Sequence, residues 1–437
     1  MPASPSAGPL ERLFDLKAHG TSVRTEILAG FTTFLTMAYI LFVNPQILGA
    51  AGMPQGPVFV ATALAAMAGT LIMAFAANYP IALAPGMGLN AFFAFTVVLA
   101  DGFTWQEALA AVFCSGVIFV VISSIGLRKA IIEAIPDNLK RAISAGIGLF
   151  LGIIAMENAG IVVDSSATLV TAGDFATAPV ILALVGFALI AALNAVGIVG
   201  GTIIGILVVT VLGLPFGLVD FQGVVSLPPD PTPTLFALDF SKIASGTFWI
   251  VVFSLLLVDL FDTAGTLIGV SSRAGLLDKE GKLPRMKQAL FADSSATVIG
   301  SLLGTSNTTS YVESATGVAA GGRTGLTSVT VAVLFVLALL FSPLAATIPS
   351  YATASALLFV ATIMLQGLAD IDWKDPTEVA PAAMCAIGMP FTYSISEGIG
   401  LGFVTYVLVK LFAGRPGDLS IGAVAVAIVF GAFFVIG

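Results

Sequence analysis

Pro80-Ile81-Ala82-Leu83-Ala84-Pro85-Gly86-Met87-Gly88-Leu89-Asn90-Ala91-Phe92-Phe93 interrupts one apolar stretch of the chain. About half a chain later, Gly304-Thr305-Ser306-Asn307-Thr308-Thr309-Ser310-Tyr311-Val312-Glu313-Ser314-Ala315-Thr316-Gly317 interrupts another. Both segments carry residues that break a helix or hydrogen-bond to bare backbone. Irregular backbone survives at membrane depth only where protein or a water-filled cavity satisfies its N–H and C=O groups. Matched breaks in the two halves of a membrane chain are a sequence pointer to a transporter binding site. The pattern points to a carrier of a small polar solute.

Composition sets the class. Hydrophobic residues make up 58% of the 437 residues and charged ones 10%, against about 25% charged in a soluble domain. Apolar runs long enough to cross a bilayer recur along the chain, which implies an all-α polytopic membrane protein. The alternating strands of a membrane barrel are not visible. Cys114 and Cys385 lie in apolar runs and imply neither a disulfide framework nor a metal cluster. His19 is the sole histidine and precedes the first span, which argues against a His-based catalytic or zinc site. No cofactor is implied. The first span follows a polar stretch of mixed charge and is too long for a signal h-region, so it is expected to stay in the mature protein. The net charge of −8 identifies no partner by itself.

Fourteen spans are read near 25–48, 57–77, 81–99, 105–127, 138–159, 177–196, 200–216, 247–271, 286–303, 305–322, 324–345, 351–369, 377–391 and 395–413, the third and tenth being the broken ones. Arg12, Lys17, Arg24, Arg128, Lys129, Lys140, Arg141, Arg273, Lys279, Lys282, Arg285, Lys287, Arg323, Lys374, Lys410 and Arg415 then fall on one side, leaving Lys242 on the other. By the positive-inside rule the N-terminus is cytoplasmic, as in a multi-pass protein of the cell membrane. The apolar run 418–436 does not fit this count and reads as an extra span, a hairpin element or a surface helix.

Ile135-Pro136, Leu149-Phe150 and Asn158-Ala159-Gly160 are echoed by Ile348-Pro349, Leu358-Phe359 and Gln366-Gly367-Leu368, and the broken segments are themselves about 220 residues apart. Seven spans per repeat is an odd number, so the second copy enters the membrane upside down. Such inverted repeats place the substrate between the copies near the midplane.

Carboxylates inside spans are the chemical candidates, because each costs about 2.5 to 3.5 kcal/mol on insertion scales and normally faces a cavity. They are Asp259 and Asp262, three residues apart on one helix face, Asp293 in the ninth span, and Glu313 at the second break. No Lys or Arg lies in the interior of these spans, Lys287 standing at the very start of the ninth, so the carboxylates are protonated, hydrogen-bonded, or paired with a substrate or ion. A carboxylate out of water can exchange a proton near neutral pH, as a proton symporter requires.

Glu313 follows a Ser/Thr/Asn run able to pair as a short strand, and it stands where a half-helix begins, with unpaired N–H groups and a partial positive charge. There it can accept N–H donors from a planar solute; the alternative is a helix-capping glutamate. Asn90 offers a donor and an acceptor at the matching break, with an interhelical hydrogen bond as the alternative. Asp262 reads as a substrate contact or proton site, and Asp259 and Asp293 as supports behind it. Phe92 and Phe93 can stack on a flat ring or simply pack. Gly86-x-Gly88 is no nucleotide fingerprint without a βαβ unit, and Gly148-x-x-x-Gly152 reads as helix packing. Glu157 and Glu397 lie near span ends, where solvation is cheaper.

At these residues the chain resembles purine permeases of the AzgA-like branch of the nucleobase–cation symporters, a superfamily that includes uracil and xanthine permeases. The resemblance rests on Leu10-Glu11-Arg12-Leu13-Phe14 leading to His19-Gly20-Thr21, Thr33-Phe34-Leu35-Thr36-Met37-Ala38-Tyr39-Ile40 with Asn44-Pro45, Ala84-Pro85-Gly86-Met87-Gly88-Leu89-Asn90, Phe261-Asp262-Thr263-Ala264-Gly265-Thr266, and Glu313-Ser314-Ala315-Thr316-Gly317. It implies a core domain of spans 1–4 and 8–11 and a gate domain of spans 5–7 and 12–14. The chain then divides into a cytoplasmic segment 1–24, core 25–130, gate 131–245, core 246–348, and gate with the C-terminal apolar segment 349–437. It also implies substrate held between the third and tenth spans, homodimers through the gate, and family acids at Asp262, Asp293 and Glu313. Glu313-Ser314 stands where the xanthine and ascorbate branch carries Gln-Asn, which favours adenine, guanine or hypoxanthine.

The expected function is proton-coupled import of these purines by alternating access. Glu313, Asp262, Asn90, Phe93, Gly88, Thr266, Val312 and Ser314 are the expected substrate-binding residues. Asp262, Glu313, Asp293 and Asp259 are the expected proton-coupling residues, with sodium as the other possible ion. Partners are the purine, membrane lipid and a second copy of the chain, with no nucleic acid. A uracil, xanthine or inorganic-anion carrier of the same fold is the nearest alternative; an intramembrane enzyme and a gated channel are further ones.

Overall fold

The computed structural model describes residues 8–125, 135–278 and 283–436. The basic residues Arg128, Lys129, Lys279 and Lys282 of the orientation argument lie outside the described residues. Nine helices among those described are long and apolar enough to cross a membrane. They are span 1 (Val23–Ala50), span 2 (Gln55–Ala77), span 4 (Trp105–Ile125), span 5 (Asp137–Asn158), span 6 (Ala178–Ala195), span 8 (Gly246–Arg273), span 11 (Gly325–Thr347), span 12 (Ser350–Asp370) and span 14 (Ile395–Phe412). Span 7 (Gly201–Phe216), span 9 (Met286–Leu303) and span 13 (Pro376–Thr392) are shorter or less apolar. With spans 3 and 10, both broken, the fourteen-span architecture is complete.

Span 9 carries polar residues because its polar face points inward. Asp293, Thr297 and Ser301 recur at four-residue spacing and are fully buried with Ser294. That places its hydroxyls and carboxylate against the broken spans instead of against lipid.

The breaks complete each other. Strand β1 (Leu83–Pro85) opens span 3, which continues as a helix over Met87–Ala100. A hairpin of β2 (Val162–Ser165) and β3 (Leu169–Ala172) follows span 5. Strand β4 (Thr308–Ser310) opens span 10, followed by the half-helix Ser314–Ala319. β1 and β4 pair antiparallel in the register Leu83↔Ser310, Ala84↔Thr309 and Pro85↔Thr308. The Gly86 amide donates to the Asn307 carbonyl at 2.9 Å, and that of Tyr311 donates to Ala82 at 2.9 Å. Backbone that no bilayer could satisfy is thus satisfied across the two halves of the chain. Gly304 (φ 98°) makes the left-handed turn that ends span 9 and feeds the strand.

Span 1 is also interrupted, as helices Val23–Met37 and Ile40–Ala50 separated at Ala38-Tyr39. Pro45 removes an N–H donor and crowds the carbonyl one turn earlier, loosening the helix just after this break. Buried Glu26 near the start of span 1 accepts from the amides of Arg323 (2.9 Å), Thr324 (3.2 Å) and Thr327 (3.2 Å). It therefore acts as a remote cap for the N-terminus of span 11, whose first amides would otherwise be bare.

Two packed groups emerge. Span 9 lies on spans 2 and 4, span 11 on spans 1 and 2, and span 8 on span 4. Span 13 lies on spans 5 and 14, and span 12 on spans 5, 6 and 7. Within the second group Lys410 is 2% exposed. Its ammonium is held by Glu378 at 2.6 Å, Asp418 at 3.2 Å and Thr377 at 2.9 Å. The carboxyl of Asp375, in the loop before span 13, is held down at about 2 by the Thr377 amide and hydroxyl and by Arg415. The apolar run 418–436 forms the helix Ile421–Ile436, which packs on span 14, with Phe430 and Phe434 against Gly400.

Candidate functional site

The β1–β4 pair sets two half-helix N-termini beside each other, one at Gly86 and the other at Glu313. Glu313 is the N-cap of its half-helix, yet its side chain makes no capping bond. Instead the Tyr39 hydroxyl donates to Glu313 Oε1 at 2.7 Å. The capping alternative is thereby set aside. Thr316 Oγ1 donates to the Glu313 carbonyl at 2.7 Å and lies 3.0 Å from Thr36 Oγ1. Val312 beside it is 50% exposed.

Asp262 lies on span 8, which packs against this half-helix. It is exposed, and so are Gly265 and Gly269 below it, where a Cβ would meet only open space. Above it on the same face, Val251, Leu255 and Val258 are buried. The approach to Asp262 therefore opens toward the end of the molecule that carries the N-terminus and is closed toward the other. Thr266, one turn below Asp262, is half-buried beside this opening.

The remaining acids are enclosed. Asp259 Oδ2 accepts from Thr297 Oγ1 at 3.0 Å and from Asn307 Nδ2 at 3.0 Å. Asp293 accepts from Thr263 Oγ1 (2.7 Å), the Ser310 amide (2.7 Å) and Ser310 Oγ (2.8 Å). These bonds fasten β4 to spans 8 and 9. Among the described residues no ion pair involves Asp259, Asp262, Asp293 or Glu313.

Several candidate residues are placed in support of the break. Asn90 is buried and accepts from the Ser306 hydroxyl, while its Nδ2 has no partner among the described residues. Ser314 is buried, with its hydroxyl accepting the Ala82 amide at 3.0 Å. Phe92 and Phe93 lie in the apolar core. Gly88 lets span 3 meet span 5, since a Cβ there would fall 2.4 Å from Ile147 Cγ2.

Sequence reasoning passed over Tyr39, Asn307, Thr297 and Thr263 as site residues. Tyr39 carried one usable signal: it is an aromatic with a hydroxyl inside an apolar run, just before Asn44-Pro45.

On the closed side, Gln46 of span 1 donates to the Ile348 carbonyl at 2.7 Å and accepts from the Thr353 hydroxyl. Thr96 of span 3 donates to the Tyr393 carbonyl at 3.2 Å. A cavity of about 310 Å³ adjoins Gln46, Asn158, Ser350 and Thr353.

The sequence profile of the Permease family (Xan_ur_permease) matches residues 24–401. The chain belongs to this family of permeases. It is 48% identical over 423 residues to adenine permease AdeP of Escherichia coli (strain K12), covering 97% of this chain and 95% of that one. It is 46% identical over 426 residues to guanine/hypoxanthine permease PbuO of Bacillus subtilis (strain 168), covering 96% and 98%. Among solved structures, the transmembrane domain of a cyanobacterium bicarbonate transporter BicA matches with TM-score 0.65 at 16% identity, covering 90% of this chain and 97% of that one. That likeness shows the fold. The expected resemblance to purine permeases stands, and the protein is a transporter and not an enzyme.

Proposed function

We propose that this permease is a secondary active symporter that imports purine nucleobases (hypoxanthine, guanine and adenine) coupled to protons by alternating access. The observation that carries the reading is the relationship, over nearly the whole chain, to permeases named for adenine and for guanine and hypoxanthine. The geometry supports it. Glu313 offers a carboxylate at a half-helix N-terminus, so a flat heterocycle can give N–H groups to the acid, which the positive end of the helix favours.

In this reading Glu313 and Asp262 meet the purine, with Val312, Thr266 and the Gly88 turn around it. Asn90, Phe93 and Ser314 hold the broken spans in shape from behind. Asp262 is the leading proton carrier because it is the acid of span 8 that the opening reaches. Asp259 and Asp293, fixed by hydroxyls and amides, support it, and sodium is the alternative coupling ion. The core residues 25–130 and 246–348 move against the gate residues 131–245 and 349–437. The N-terminus is cytoplasmic, the chain lies in the cell membrane, and two copies pair through the gate.

The test is uptake of labelled hypoxanthine into cells lacking their own purine carriers, challenged with a panel of unlabelled nucleobases. Competition by guanine and adenine is expected. Competition by uracil or xanthine alone would replace this reading with the related pyrimidine or xanthine carrier.

A further inference from the structure

Tyr39 lies at the interruption of span 1, is 2% exposed, and points its hydroxyl at Glu313, the N-cap residue of the span 10 half-helix. The backbone around it is tightened: the amides of Phe42 and Val43 both donate to the Tyr39 carbonyl at 3.0 Å. The side chain leaves the helix at this tight turn and crosses to Glu313. One turn earlier on the same face, Thr36 reaches Thr316 at 3.0 Å. One turn before that, Thr33 and Ala29 lie so close to Gly317 that a Cβ there would fall 2.0 Å from Thr33 Oγ1 and 2.6 Å from the Ala29 carbonyl. The half-helix that carries Glu313 is therefore seated along its length on span 1, and Tyr39 is the contact at its reactive end.

We propose that Tyr39 is a positioning residue for the nucleobase site: its hydroxyl orients the Glu313 carboxylate and leaves Oε2 to receive an N–H group of the purine. The proposal rests on the reading of Glu313 as a substrate contact. A glutamate on a half-helix end has rotatable bonds that would let its carboxylate face the strands, the groove or its own amides. A phenolic O–H is a neutral donor of fixed direction, and a bond from it to an ionised carboxylate is of the strong, charge-assisted kind. With Oε1 engaged, the carboxylate plane is set, and preorganisation of this kind raises affinity without adding a contact to the ligand. Nothing about Tyr39 needs to touch the purine for this to hold.

The test is a double-mutant cycle read by equilibrium binding of labelled hypoxanthine to the purified full-length protein and by uptake in cells. Tyr39→Phe removes one oxygen and should weaken binding roughly tenfold, the scale of a charge-assisted hydrogen bond, raising KM while maximal uptake is retained. Added to Glu313→Gln, which itself binds weakly, Tyr39→Phe should cost less than about twofold more, because its effect passes through the carboxylate. Thr36→Val breaks the adjacent Thr36–Thr316 link and should leave affinity within about twofold.

Normal binding by Glu313→Gln would remove the Glu313 reading itself. Weak binding by Glu313→Gln with normal binding by Tyr39→Phe would overturn the Tyr39 proposal alone. So would equal and additive losses in the cycle, or an equal loss in Thr36→Val, since these would make Tyr39 a packing residue. Should Tyr39→Phe not purify folded, Glu313→Asp carries the same question with the tyrosine intact. Its shorter arm cannot hold the hydroxyl and still present the second oxygen, so a loss of roughly tenfold is expected, and wild-type affinity would overturn the proposal.

Discussion

Asp259 and Asp262 sit one helical turn apart on span 8, and only the second can be reached. Asp259 is 1% exposed and bound by Thr297 and Asn307, whereas Asp262 opens the run of Gly265 and Gly269 that leads to the N-terminal side. The helix turns its sealed half toward one face of the membrane and its open half toward the other, with the change falling at Asp262. In the proposed symport, Asp262 at that boundary exchanges its proton with one compartment at a time.

Asp262→Asn should therefore separate uptake from pH. Asparagine keeps the shape and cannot titrate, so the purine can still bind while the pH gradient no longer drives accumulation. Hypoxanthine uptake measured between about pH 5.5 and pH 8, roughly the range in which a carboxyl partly withdrawn from bulk water can exchange its proton, should become flat. An unchanged pH profile would move the proton site to Asp293.

Glu313→Gln should weaken hypoxanthine binding at least tenfold and leave thermal stability close to wild type. The amide loses the charge and one acceptor, and a hydrogen bond to a charged group is worth about 1.5–3 kcal/mol. Melting temperature and equilibrium binding on one preparation separate the two effects, and normal affinity would dismiss the assignment.

The closed face should be lockable. Gln46 and Thr353 touch across the two packed groups, so a cysteine at each position should form a cross-link that holds this face shut. Transport should fall to background and return on reduction, while binding from the open side persists. Full transport with the cross-link verified would show that these groups need not move apart.

Gly88 tests the opposing surface. Because a Cβ there would fall 2.4 Å from Ile147 Cγ2, Gly88→Val should reduce transport about tenfold or more, since well-packed contacts tolerate added methyl groups poorly. Adding Ile147→Ala should recover much of it. Failure of the pair to recover would mean that Gly88 matters for the half-helix itself and not for its meeting with span 5.

Much of this architecture was legible because the membrane leaves a chain few options. The apolar runs placed the spans, and the Pro/Gly and Ser/Thr/Asn interruptions placed the two breaks whose strands pair as Leu83↔Ser310. Chemistry at the breaks was legible in residue types and less so in contacts. Glu313 was singled out by its position, but Tyr39, which holds it, is separated by 274 residues and sits in a run that reads as ordinary apolar helix. Asn90 and Ser314 showed the polar chemistry of ligand contacts; in the structure the Asn90 side-chain oxygen accepts from Ser306 and the Ser314 hydroxyl accepts the Ala82 amide, while Asn90 Nδ2 has no partner among the described residues. Phe93 could not be told from a packing residue by sequence, because an aromatic in a membrane span has the same composition signal in either role. The run 418–436 was ambiguous for a related reason: hydropathy reports that a helix is apolar, and only Phe430 against Gly400 reveals what covers it.

The most direct measurement is uptake of labelled hypoxanthine by purified protein in sealed liposomes with an imposed pH gradient, acid outside. The lumenal concentration should rise several-fold above the external one, collapse when a protonophore is added, and be competed by guanine and adenine but not by uracil or bicarbonate. Filling that stops at equal concentrations with the gradient intact, or that bicarbonate competes and guanine does not, would contradict a proton-coupled purine symporter.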